Sequence, residues 1–386
     1  MHAGLYIHVP FCAQVCPYCD FAVRTGDEAK RRAFVAAVCR EIEIVGASGF
    51  AGGVEFDTVY FGGGTPSSMA AEQLGEILEH ARRWLPVRKN AWITIEANPE
   101  DVDEARARAW RALGVGTVSL GIQSLVDEQL KYLGREHRAE QAAVAVTVAR
   151  AYGFPIVSID LMFGVERQTP TSWRAELRAA VALEPEHVSC YQLTFHEGTP
   201  FWRWRQEGRR AEMAESDQAD LYLLAYEELG AAGYNAYEVS NFAAAEEFQS
   251  RHNSKYWRHL PYLGLGPSAH SFDGQRRRWW NHRDLPEYLA ALEAGVHPVV
   301  GDETLTDAEL VTEAVMFGMR AQVGIDLDGI RQRWGIDLRD LNAERFARWA
   351  QDGLIRGTDV LVPTARGMAI ADRLAADVLT TADRGG

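Results

Sequence analysis

Cys12, Cys16 and Cys19 lie within the segment HVPFCAQVCPYCDF, residues 8–21. The spacing C-x3-C-x2-C places three thiols on one short loop, directly after the β-rich run LYIHVP at 5–10. Thiolates this close in sequence can wrap one compact metal centre. A 4Fe–4S cube capped wholly by protein takes four cysteines, so three leave one iron with an open position for an incoming ligand. The competing chemistry is structural zinc, which needs a fourth ligand from His8, Cys39 or Cys190. Zinc cysteines usually come as two close pairs, and the sequence has no second pair. Cys39 falls in a helical run and Cys190 in a β-rich run, where free cysteines behave as small buried apolar side chains.

A second set of residues could hold a polar ligand. FGGGTPSSM (61–69) follows a β-rich run and leads into a helical one. Gly62, Gly63 and Gly64 let a backbone come close to a ligand. Thr65 adds a hydroxyl, and Pro66 suits a first helical turn. Glu96 (in TIEANP), Gln123 (in GIQS), Arg135 (in LGREH) and Asp160 (in SIDLMFG) stand at or near the ends of later β-rich runs. Each alone also reads as a capped or solvated strand end. Together, on successive units of one face, they read as a site.

RHNSKYW (251–257) offers a third constellation. His252 carries a nitrogen able to ligate a metal, and Tyr256 and Trp257 supply flat apolar surface. The plainer reading is a core edge with His252 merely hydrogen-bonded. His8, beside the cysteine loop, is another candidate ligand. QRRRWW (275–280) reads as a solvated basic turn, with carboxylate binding as the alternative. GLGPSAHSF (264–272) reads as a tight turn.

These residues need elements to position them. The first 240 residues alternate β-rich and helical runs: strands are expected at 57–61, 91–97, 117–122, 155–163, 187–193 and 234–240. Helices are expected at 27–45, 70–84 and 104–113, the first with Phe34, Val38, Ile42 and Val45 on one stripe. Strand–helix alternation implies a parallel sheet with right-handed crossovers. Such folds keep their chemistry at the carboxyl ends of the strands, and the motifs fall there. Pattern alone leaves open whether the sheet closes into a barrel. After about residue 241 the alternation weakens, giving a 1–240 core and an aromatic and His-rich extension at 241–300. The remaining 301–386 reads as a winged-helix-like unit: helices at 307–320, 326–334 and 342–352, a hairpin at 354–364 and a last helix. The stretch 297–306 reads as a connection.

Composition limits the partners. The 386 residues are 47% hydrophobic and 24% charged, an ordinary globular balance that argues against disorder. A net charge of −14 argues against nucleic acid as the main partner. No apolar stretch approaches the ~18 residues of a spanning helix, and residues 1–10 lack a signal-peptide pattern. The expected location is cytoplasmic, with no integral membrane segment.

C-x3-C-x2-C after a first strand, with the aromatic Tyr18 just before the third cysteine, resembles the radical S-adenosylmethionine (SAM) superfamily. The flanking H-V-P-F-C and C-D-F are similar to its oxygen-independent coproporphyrinogen III oxidase-like family, with the likeness running from about residue 4 to beyond 370. The resemblance implies a partial (β/α)6 TIM-like barrel, a C-terminal domain of the same family, and a 4Fe–4S cluster on Cys12, Cys16 and Cys19. It further implies SAM contacts from Tyr6, Tyr18, Gly63, Gly64, Thr65, Glu96, Gln123, Arg135 and Asp160. A low-potential electron donor of flavodoxin or ferredoxin type follows from that chemistry, since the cluster must be reduced before SAM is cleaved. Within the family two functions compete: oxidative decarboxylation of coproporphyrinogen III, and heme delivery to acceptor proteins. The decarboxylase pattern has a cysteine where Phe21 stands and an extension before the first strand. H-N-x-x-Y-W, matched at 252–257, is typical of the heme chaperones. The resemblance therefore points to a heme chaperone, with heme held by His252, Tyr256 and Trp257. The decarboxylase is the alternative, and a zinc-stabilised structural protein a third reading.

Overall fold

Strand β1 (His2–Val9) buries Leu5, Ile7 and Val9 completely. A strand covered on both faces reads as a nearly continuous apolar run, and the strands that follow share this character. They are β2 (Glu55–Gly63), β3 (Val87–Ala97), β4 (Val115–Gln123), β5 (Ile156–Phe163) and β6 (His187–Gln192). Each pairs in parallel with the next, from β1 to β6. The crossovers carry helices α1 (Glu28–Ala47), α2 (Ala71–Trp84), α3 (Glu104–Ala112), α4 (Ala139–Ala151) and α5 (Pro170–Ala182). Asp27 caps α1 by accepting from Lys30 N–H at 2.9 Å, and Phe34, Val38, Ile42 and Val45 form its buried stripe. The computed structural model describes residues 2–48 and 53–378.

The sheet does not close. A parallel strand is expected at 234–240, but only β7 (Asn235–Ala236) forms there. It pairs antiparallel with β8 (Asn241–Ala243), which pairs antiparallel with β6. The backbone between them is drawn away: Val239 N–H donates to the Arg320 carbonyl at 2.7 Å, and Glu238 bridges to Ala321. The chain thus turns to the C-terminal unit where a closing strand would be.

On the other edge the sheet grows. β9 (Tyr262–Leu265) adds in parallel to β1. Antiparallel strands β10 (His270–Phe272), β11 (Arg277–Asn281) and β12 (Val299–Thr304) complete a 12-stranded sheet ordered β12-β11-β10-β9-β1-β2-β3-β4-β5-β6-β8-β7. Three expectations are corrected here. The stretch 264–272 is two strand segments around a turn, with Gly266 at φ +96°, where a Cβ would stand 2.5 Å from the His8 carbonyl oxygen. The stretch 297–306 is mostly strand, so the boundary expected at 300 falls inside β12. The stretch 275–280 is solvated but only its start is a turn: Arg276 and Arg277 are exposed, residues 277–280 belong to β11, and Arg276 pairs with Asp307, Arg277 with Asp302, and Arg278 with Glu303 and Glu313.

The C-terminal unit has its own core, including Val311, Val315, Ile330, Leu338, Phe346, Trp349 and Leu361. Helices Asp307–Gly318, Leu327–Trp334 and Leu338–Gln351 surround a small antiparallel sheet of Ile325–Asp326, Val360–Pro363 and Ile355–Arg356. The third helix begins before the expected 342 because it continues across a kink, with Asn342 at φ −129° and ψ 18°. The last eight residues of the expected 301–386 unit lie outside the described residues.

One buried carboxylate joins the added strands to the barrel. Glu41 on α1, 1% exposed, accepts from the Tyr288 hydroxyl (2.6 Å), the Asn281 amide (2.6 Å) and Gly266 N–H (2.9 Å). Replacing Glu41 by Ala strands these donors, so the unfolding free energy should fall by at least ~2 kcal/mol, read from the urea midpoint. Burial lifts the Glu41 carboxyl from its ordinary 4.5 to about 7. The native state then holds the proton more tightly than the unfolded chain. This contribution to stability is complete below about 4.5 and lost as pH rises through about 7. Relative to wild type, Glu41→Gln should remove that part of the downward slope; identical slopes would contradict the assignment.

Candidate cluster and cofactor site

The cysteine loop is clamped at both ends. Phe11–Cys12 pairs in parallel with Arg24–Thr25, and Arg24 N–H donates to the Pro10 carbonyl at 2.8 Å. Phe11 is fully buried, edge-on to Phe34, and Gly26 leaves room for its ring, since a Cβ there would meet it at 2.4 Å. His8 ties the inner side through Nε2 and the Ala22 carbonyl oxygen, 3.0 Å apart. Between the clamps, Cys12, Cys16 and Cys19 are partly buried and face a cavity of about 370 Å³ at the carboxyl ends of the strands. Withdrawal from water lifts the Cys12 thiol above its ordinary value and the Cys19 thiol to about 11. Cys39 and Cys190 are buried away from the loop, as small apolar side chains. Among the described residues, no three His, Cys, Asp or Glu side chains converge as they would on a single metal ion.

The glycine run approaches this loop closely. Gly64 N–H donates to the Val9 carbonyl (2.8 Å) and Thr65 N–H to the Phe11 carbonyl (2.7 Å). A Cβ on Gly64 would lie 2.7 Å from the Phe11 oxygen and 3.1 Å from Cys12 Sγ. Gly63 sits at φ +107°, with its α-carbon against the His8 ring. A larger side chain at Gly64 would push against the loop backbone and the Cys12 sulfur, and one at Gly63 against the His8 ring.

The same cavity is lined by Tyr18, Gly63, Gly64, Thr65, Glu96, Gln123, Arg135 and Asp160. Glu96 accepts from the Tyr60 hydroxyl at 2.8 Å and from Gly63 N–H at 3.0 Å. Loss of bulk water, with Asp160 nearby, raises the Glu96 carboxyl to about 7. Desolvation likewise raises Asp160 to about 6, while Ser119 donates to it at 3.3 Å. Arg135 donates through Nη2 to Asn98 Oδ1 (2.6 Å) and the Gly121 carbonyl (2.9 Å), and Nη1 lies 3.7 Å from Cys16 Sγ. Its Nε is buried without a partner. Gln123 takes φ +67°, uncommon for a side-chain-bearing residue and a feature that gathers at functional sites. Tyr18 packs edge-on to Phe201, with ring centroids 6.1 Å apart.

Tyr6 stands apart from that set. It lies against Tyr60 and His252, and opens with His8, Gly63 and Glu96 onto a neighbouring cavity of about 490 Å³. The proposed heme trio divides. His252 is 3% exposed, and both its nitrogens are engaged, Nδ1 with the Thr58 hydroxyl (3.0 Å) and Nε2 with the Tyr256 hydroxyl (2.9 Å). In this arrangement neither nitrogen is free for a metal. Tyr256 lines the second cavity, while Trp257 packs on Phe317, 6.0 Å between centroids, toward the C-terminal unit. Residues four apart on a helix share a face and the next one turns off it. Sequence reasoning missed Tyr60, Asn98 and Ser119. Asn98 is visible in the quoted TIEANP, and Ser119 stands beside Glu96 in strand register; Tyr60 carries no sequence signal.

Two family models match: the radical SAM superfamily over residues 6–179 and the HemN C-terminal domain over 305–370. The heme chaperone HemW of Mycobacterium tuberculosis is 36% identical over 381 residues, covering 97% of this chain and 94% of that protein. The chain belongs to the HemW family. HemW of Bacillus subtilis is 30% identical across 92% of this chain and 93% of its own. The solved coproporphyrinogen III oxidase (HemN) of Escherichia coli superposes with a TM-score of 0.81, over 97% of this chain and 89% of that one, at 22% identity. That likeness establishes a shared fold. Radical SAM membership implies a 4Fe–4S cluster and SAM. The residues present in this HemW-family chain fit both: three thiols on a clamped loop, a glycine cradle against Cys12, and the acidic Glu96 and Asp160 with the basic Arg135 on one cavity.

Arg135→Gln should therefore weaken SAM binding at least tenfold, about 1.4 kcal/mol, with cluster absorbance retained; unchanged SAM affinity would count against the Arg135 contact. Anaerobic reconstitution should give about four irons per wild-type chain and almost none in the Cys12/Cys16/Cys19→Ala variant. Stoichiometric zinc without iron would reject the cluster.

Proposed function

We propose that this chain is a heme chaperone that binds a 4Fe–4S cluster through Cys12, Cys16 and Cys19, binds SAM beside it, and passes heme to acceptor proteins. The observation that carries this reading is the match to the HemW of Mycobacterium tuberculosis along 97% of the chain. Phe21 supports it, because the decarboxylase pattern has a cysteine at that position. Phe21 is 62% exposed at the rim of both cavities and offers no thiol there.

When bound, the cluster and SAM supply one-electron reductive chemistry, which calls for a low-potential donor of flavodoxin or ferredoxin type. The chain's own residues do the positioning. Arg135, on the cavity wall, pairs its guanidinium charge with the SAM carboxylate. Glu96 and Asp160 accept from the SAM ammonium and ribose hydroxyls. Thr65, Gln123 and the Gly63–Gly64 backbone shape the wall, and Tyr18 closes it. No helix among the described residues is long and apolar enough to cross a membrane.

The deciding experiment pairs two assays on anaerobically reconstituted protein. Heme titration should give saturable binding near one per chain. Incubation with SAM, a strong reductant and coproporphyrinogen III should give no protoporphyrinogen. Turnover of coproporphyrinogen would replace the chaperone reading with the decarboxylase.

A further inference from the structure

We infer that His270 is the axial heme-iron ligand, in the 490 Å³ cavity beside the cluster site, and that Arg283 receives a heme carboxylate there. This rests on the heme-chaperone reading and relocates its ligand. The cavity falls within the roughly 300–1,000 Å³ of small-molecule sites. Its walls suit a flat apolar macrocycle carrying a metal and acidic side chains: Tyr6, Tyr256 and Tyr262 give aromatic surface, and exposed Phe21 stands at the rim.

Two imidazoles line this cavity, and their states differ. His8 is buried and has both nitrogens engaged, Nδ1 with the Tyr6 hydroxyl at 3.1 Å and Nε2 with the Ala22 carbonyl at 3.0 Å. His270 is exposed on β10, and neither of its nitrogens makes a hydrogen bond within the described residues. Its ring is nonetheless held in orientation. Trp280, its cross-strand neighbour, stacks on it at 5.7 Å between centroids and 25° between planes. Trp280 is seated in turn over Gly301, where a Cβ would come within 2.6 Å of the indole. A ligand imidazole fixed by packing, with free nitrogens, is what an axial position requires.

Arg283 stands at the same cavity. One Nη2 donates to the Asp20 carbonyl at 2.7 Å, which places the guanidinium over the cysteine loop. Its remaining donors are exposed and can take a carboxylate. Asp20, Phe21, Gly63 and Glu96 border both cavities, so heme at His270 would share a wall with the cluster site.

The test is heme titration of the cluster-loaded full chain, followed in the Soret band. His270→Ala should lower affinity at least tenfold and shift the Soret maximum. His270→Gly should recover the wild-type band on adding imidazole. Arg283→Gln should lower affinity about threefold with the band unchanged. Wild-type affinity and spectrum in His270→Ala would overturn this assignment and leave the chaperone reading standing. Loss of the band in His252→Gln alone, with iron content and folding intact, would overturn it as well. Absence of heme binding by the wild-type chain would remove the chaperone reading together with the ligand.

Discussion

A loop carrying metal-ligating thiols has to be rigid at its ends and open in its middle, and the junction of β1 with the β2 glycines satisfies both demands. The backbone after β1 is fixed by the Gly64 and Thr65 N–H groups, and its return by the bridge to Arg24–Thr25. Cys16 and Cys19, between these points, need no secondary structure of their own. Gly64 is required because two backbone carbonyls and a cysteine sulfur meet where a Cβ would be, and Gly63 because its positive φ sets the backbone against the His8 ring. Every other part of the site is arranged around that contact. Glu96 accepts from Gly63 N–H, Tyr60 donates to Glu96, and Arg135 reaches Cys16 from the far wall.

The open sheet extends the same logic. A closed barrel would bury the edge of β1, but here that edge pairs with β9 and brings a curl of antiparallel strands beside the cluster loop. Those strands would be a loosely attached flap without Glu41. Its carboxylate gathers donors from a turn, a strand and a helix of the added segment, and each donor would be costly if left unpaired in the core. The second cavity exists because this segment is held at a fixed distance from β1. Arg283 completes the link by binding the loop backbone at Asp20.

Much of the barrel was legible because parallel strands covered on both faces leave long apolar runs, and the ligand-facing residues sit at their carboxyl ends. Cys12, Cys16, Cys19, Glu96, Gln123, Arg135 and Asp160 do face one cavity. The added edge was not legible. Its strands are short, rich in glycine and charge, and stabilised by partners distant in sequence, so 264–272 and 297–306 lack the alternation that announces a strand. The arginines of 276–278 looked free because their partners, Asp302, Glu303, Asp307 and Glu313, arrive only through strand pairing and the next helix. The surroundings of His252 were hidden for a related reason. Sequence shows an imidazole beside aromatics but not the Thr58 hydroxyl that comes from β2 to fill its second nitrogen.

The acid–base pattern of the cavity bears on what it is built to receive. Glu96 and Asp160 are withdrawn from bulk water, which raises both carboxyls, to about 7 and about 6, and the Asp160 charge adds to the rise at Glu96. Arg135 lowers Asp160 from a distance, yet its donors are directed to Asn98, Gly121 and the thiol side. Two such carboxylates are unfavourable in an apolar wall unless a cation or several donors come between them. On the proposed reading, SAM would bring a sulfonium and an ammonium to the acids and a carboxylate to Arg135. The charges of that ligand would mirror those of the wall, and its binding would relieve a desolvation cost already present in the fold. A neutral ligand of the same shape would fill the space and leave that cost in place, so on this reading the cavity would select by charge as well as by form.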